Sequence, residues 1–142
     1  MTMTLASVRD SIETCLSDSA NLIFSTSLLD EGIRAALDGL SKACGTAFTL
    51  KDLDGAVETT FEAQDFLILI AGGAAFALSF RLAGKFEEAA PACDHTEGYH
   101  RLAQDWMNRY QAFLMQVRLR KFHESAANPH SAWNWTEGQG FS

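Results

Sequence analysis

Residues 66–82 read FLILIAGGAAFALSFRL, and the fifteen positions from Phe66 to Phe80 carry no charge. A run this apolar needs cover, from lipid or from protein. A membrane-spanning helix needs about twenty such residues. The flanking Asp65 and Arg81 give no positive pattern, so no membrane span is expected. A buried helix would hold Gly72 and Gly73 at its centre, each costing about 1 kcal/mol relative to alanine. Two strands suit the pattern better. Phe76, Leu78, Phe80 and Leu82 alternate with Ala77, Ser79 and Arg81, the period of an extended chain. Leu67–Ile70 is apolar on both faces, as in a central strand, and Gly72-Gly73 supplies a turn.

The preceding segment extends this reading. Phe48 and Leu50 lie before Asp54-Gly55, and Val57, Thr59 and Phe61 lie after it. Asp-Gly between alternating segments signals a hairpin, because both central residues of a type I′ turn need positive φ. A four-stranded antiparallel meander over residues 46–82 follows.

Helices are expected on both sides. Val8, Ile12, Cys15, Leu16, Ser19 and Ile23 recur at helical spacing over residues 5–24. A second helix begins after Phe24-Ser25-Thr26-Ser27, with Ser27 and Asp30 as a weak capping box. It buries Leu29, Ile33, Ala36, Leu37 and Leu40 and runs to about Cys44, with Gly45 as its left-handed stop. A long last helix starts at Asp94 as N-cap, with Glu97 at the third helical position, and reaches Phe122. Tyr99, Leu102, Ala103, Trp106, Tyr110, Phe113 and Val117 form its apolar stripe. Met107, Leu114 and Met115 widen that stripe beyond the needs of one packing face.

The expected fold is therefore α+β: two N-terminal helices, the meander and one long C-terminal helix. An all-α four-helix bundle is the alternative. Residues 1–127 suit one domain at this length. Residues 128–142 have no periodicity but carry Trp133, Trp135 and Phe141, so a tail docked on the core or on a second subunit is expected.

Charge is uneven. Residues 1–66 hold eleven acidic and four basic side chains, a net of −7; residues 67–142 hold seven of each. Within the second part Arg101, Arg109, Arg118, Arg120 and Lys121 face only Asp105. The acidic balance disfavours nucleic acid, whose affinity rests on neutralising phosphate, and suits a partner with a basic surface. Met1–Asp10 holds one arginine and no apolar core segment, so no secretory signal is read. Cys15, Cys44 and Cys93 are an odd, widely spaced set, expected to be reduced buried thiols in a cytoplasmic protein.

Chemistry-bearing residues are sparse. Cys93, Asp94, His95 and His100 form the densest potential metal group. The two histidines are five apart, about 140° around a helix, and diverge, so no metal or cofactor is expected. No nucleophile elbow, Walker loop, dinucleotide fingerprint, H-E-x-x-H or C-x-x-C occurs. An enzyme is not expected.

Arg118-x4-His123 resembles the Arg-x4-6-His motif of the HEPN ribonucleases, an all-helical family. The resemblance implies RNA cleavage by these two residues at a dimer interface. Leu119 stands where that family often has a polar residue. A basic helix end, favoured by the C-terminal dipole, accounts for the same residues.

In size and acidity the chain is similar to type III secretion chaperones and toxin-immunity proteins. The expected function is a non-catalytic protein-binding module, a chaperone, adaptor or immunity-type protein forming a homodimer. Trp106, Tyr110, Phe113, Trp133 and Trp135 are its expected partner-binding residues. The alternative is a small-molecule sensor, because "TAFTLKDLDGAVE" resembles the opening of a GAF domain. A GAF- or PAS-type sensor implies a ligand pocket, which Phe61, Phe76 and Phe80 would line.

Overall fold

The computed structural model describes residues 3–16, 24–83 and 96–126. They form four helices: α1 (Leu5–Leu16), α2 (Thr26–Cys44), α3 (Phe66–Leu82) and α4 (Thr96–Ala126). A 3₁₀ turn, Ala63–Asp65, leads into α3. The apolar run is thus one helix, and the expected meander is corrected: the described residues contain no strand, only an isolated bridge between Thr4 and Lys51. The α+β reading is overturned, and the arrangement fits the all-helical bundle.

The reason lies in how α3 is covered. It packs against α1, α2 and α4. Every residue from Ile68 to Ala75 is buried, together with Ala77 and Leu78. A helix enclosed on all sides over this middle stretch has no polar face there, so it carries no 3.6-residue signature. Its alternation of Phe and Leu with Ala and Ser is not a pleat: Phe76 and Phe80, four residues apart, meet at 6.0 Å on one half-buried side of the helix, while Ala77 and Leu78 are buried.

Gly72 and Gly73 are contact points, not a turn. A Cβ on Gly72 would fall 2.6 Å from both the Ala36 Cβ and the Tyr110 ring. On the facing helix, a Cβ at Gly32 would fall 2.8 Å from the Gly73 carbonyl oxygen. The backbones of α2 and α3 therefore approach to a distance that a methyl group would prevent. The helical cost of glycine is offset by that close packing.

The helix ends follow from local chemistry. Thr4 and Ser7 bond reciprocally at the start of α1: the Ser7 N–H donates to the Thr4 hydroxyl and the Thr4 N–H to the Ser7 hydroxyl. Leu5, Val8 and Ile12 form its buried row. The Ser25 hydroxyl caps α2, accepting from the Leu28 N–H at 3.2 Å; this is two residues before the serine that the capping-box pattern favoured. Gly45 ends α2 with φ 72°, as expected. Residues 17–23 and the Asp94 cap lie outside the described residues.

The Asp54-Gly55 turn is present. Both residues have positive φ, 54° and 82°, and the Leu53 carbonyl accepts from the Ala56 N–H at 3.1 Å. The strands on either side are not. Asp52 also has positive φ, 77°, which turns the chain away from a ladder. Threonine hydroxyls then take over its partners. Thr60 Oγ1 accepts from the Thr49 N–H and Thr59 Oγ1 from the Lys51 N–H. The Thr59 hydroxyl donates to the Met3 carbonyl at 2.7 Å, fastening this loop to the start of α1.

Two arginines fix the outer helices. Arg9 on α1 forms a two-pronged pair with Asp30 on α2 at 2.7 and 2.8 Å. Arg34 on α2 holds Asp54 of the loop in the same way, at 2.9 and 2.7 Å. With Asp65 beside Arg120 and Gly72 beside Tyr110, α4 runs antiparallel to α3.

Candidate docking surface on the last helix

The inward seam of α4 is Ala103, Tyr110, Leu114 and Val117, all buried. Tyr110 is its anchor. Its hydroxyl donates to the Ala36 carbonyl of α2 at 2.9 Å, and its ring meets Phe76 edge-on at 5.6 Å. Burial, with the nearby Asp38 carboxylate, pushes its phenol up to about 12. Tyr110 is thus an interior residue, 2% exposed, although the sequence pattern placed it among the partner-binding residues. Trp106 and Phe113 are half-buried and pack against the core, and the Arg109 guanidinium lies 4.7 Å over the Trp106 ring. Trp133 and Trp135 lie outside the described residues.

The opposite side of α4 is where the sequence reading fell short. Met115, Leu119 and Phe122 are 54%, 51% and 64% exposed. Their spacing of four and three residues aligns them in one row, about 10 Å long. The signal was in the sequence, as i, i+4, i+7. It is hard to read because Met115 also widens the apolar stripe and Leu119 stands between Arg118 and Arg120. Beside this row runs an open groove of about 390 Å³ between α2 and α4, lined by Asp38, Lys42, Phe76, Leu114 and Arg118 among others.

Two further clefts flank α4. One, about 350 Å³, is walled by Ser79, Leu82, His100, Ala103 and Met107 between α3 and α4. The other, about 210 Å³, contains Asp65 and Arg120. Asp65 is the buried charged residue among those described, 3% exposed, and an Arg120 amine sits 3.3 and 3.4 Å from its two oxygens. Cys44 lines the same cleft, and burial pushes its thiol up, away from the thiolate. This polar space is smaller than the 300–1,000 Å³ usual for small-molecule pockets. Cys15 is exposed, not buried as expected, and Cys93 lies outside the described residues.

The other sequence candidates do not converge. Arg118 and His123 are both exposed and about 140° apart on one continuous helix. His123 sits against Phe122 instead, with ring centroids 6.0 Å apart. Among the described residues no three histidine, cysteine or carboxylate side chains gather as metal ligands. Cys93, Asp94 and His95 fall outside them, and His100 is exposed. Phe61 is buried edge-on to Phe48, whereas Phe76 pairs with Phe80, so the three do not share one pocket wall. The sensor expectation also rested on a sheet that the described residues lack. Ala63–Leu82 is long and apolar enough to cross a bilayer by composition; here α1, α2 and α4 pack around its helical part.

Comparison with protein-family models, curated proteins and solved structures returns no match to this chain.

Proposed function

We propose that this protein is a non-catalytic protein-binding module, of the adaptor, chaperone or immunity type, with the outer face of α4 as its docking surface. The observation that supports this reading is the exposed row Met115, Leu119 and Phe122. Three large apolar side chains aligned on the solvent side of a helix whose other side already fills the core serve no internal packing. Rows of this kind mark protein contacts.

Selection from a library of displayed amphipathic peptides tests it, with Leu119→Glu/Phe122→Glu as the counter-target. Peptides enriched on the native protein and not on the folded variant are the expected result. A library that enriches nothing, or enriches equally on both, rejects this surface. Sedimentation velocity of the native chain over a range of concentrations tests the homodimer, whose partner is a second copy.

A further inference from the structure

We propose that the outer face of α4 takes an acidic amphipathic helix; this rests on the reading of that face as a docking surface and adds the chemistry of its occupant. Among the described side chains, α4 carries the cations Arg101, Arg109, Arg118, Arg120 and Lys121 against the anions Asp105 and Glu124. Arg120 is turned inward to Asp65, and Lys121 faces Glu124 at 3.5 Å. Arg118 is exposed and has no ion pair among the described residues. It lies on the groove side of the Met115–Phe122 row. Across the groove Lys42 neutralises Asp38 at 3.0 Å, leaving Arg118 as the uncompensated charge of that rim.

The occupant follows from this arrangement. A strand would need a sheet edge to extend, and the described residues have no strand. A helix with apolar residues at i, i+4 and i+7 matches the row in length and spacing. Its flanking residues then meet Arg118, so carboxylates complement them and ammonium groups do not. A second copy fits this face poorly. Two α4 rows related by a twofold axis through Leu119 would bring Arg118 of one copy towards Arg118 of the other, and like charges so placed oppose association.

Two synthetic peptides about three heptads long, with the same leucine row and flanked by glutamate or by lysine, provide the test by fluorescence anisotropy. The glutamate peptide is expected to bind at least about tenfold more tightly than the lysine peptide. Arg118→Glu should reverse that preference, and Leu119→Glu should remove binding of both with an unchanged circular dichroism spectrum. If the lysine peptide binds equally well and still depends on Leu119, the acidic chemistry is wrong and the docking surface stands. If neither peptide binds, both fail. If the native chain self-associates and Leu119→Glu disperses it, a second copy is the occupant and the proposal is overturned.

Discussion

Tyr110 shows how one side chain joins three helices. Its ring fills the space that Gly72 and Gly39 leave open, and its hydroxyl reaches the Ala36 carbonyl. Removing that oxygen in Tyr110→Phe should cost about 0.5–1.5 kcal/mol in urea unfolding at neutral pH, because the Ala36 carbonyl loses its donor. The same variant tests the raised phenol. A folded pKa of about 12 against about 10 in the unfolded chain means that the folded state holds the proton longer. That stability is fully present below pH 10 and is lost as pH rises towards 12. The native protein should therefore destabilise more steeply over this interval than Tyr110→Phe; parallel slopes would contradict it. In the sequence Tyr110 is simply one aromatic on a stripe with Trp106 and Phe113. Spacing gives the stripe, but not which ring enters a gap left by glycines on two other helices.

At the level of the element, legibility followed exposure. The α2 helix could be read because one face is solvated and its stop, Gly45, is local chemistry. The Asp54-Gly55 turn could be read for the same reason. The α3 helix could not, since full enclosure erases periodicity and its glycines have meaning only against Gly32 and Ala36. A pair of substitutions separates these effects. Gly32→Ala forces a methyl towards the Gly73 carbonyl and should cost about 1–3 kcal/mol despite the better helix propensity. Gly98→Ala, with nothing within 4 Å of the new Cβ, should be neutral or stabilising by up to about 1 kcal/mol. Thermal denaturation of the two variants gives the comparison, and equal shifts would refute close α2–α3 contact. Amide exchange adds a second check. Residues 68–78 should exchange only through global unfolding, whereas early exchange there would mean that α3 is not the enclosed helix.

At the scale of the whole molecule, acidic charge gathers on α1 and the threonine-held loop, which also exposes Val57 at 83%, and the aligned apolar row gathers on α4. Asp10, Glu13, Asp52, Asp54 and Glu58 belong to α1 and the threonine-held loop, while the unpaired Arg118 and the exposed row belong to α4. The sequence showed the imbalance between its two parts, but not that α4 turns Arg118 and its spare apolar residues outward while Arg120 points in to Asp65. Leu119→Glu should leave folding stability within about 0.5 kcal/mol of the native value, as expected for an exposed position. A larger loss in chemical denaturation would mean that Leu119 is covered within the fold.

This separation of sign gives the molecule a lasting electrical orientation. The net charge of −7 holds an acidic ligand off at long range, and only close to α4 does the local positive charge turn it towards the exposed row. Added salt should then screen that repulsion during capture and weaken the contact with Arg118 once bound, so release should quicken as salt rises.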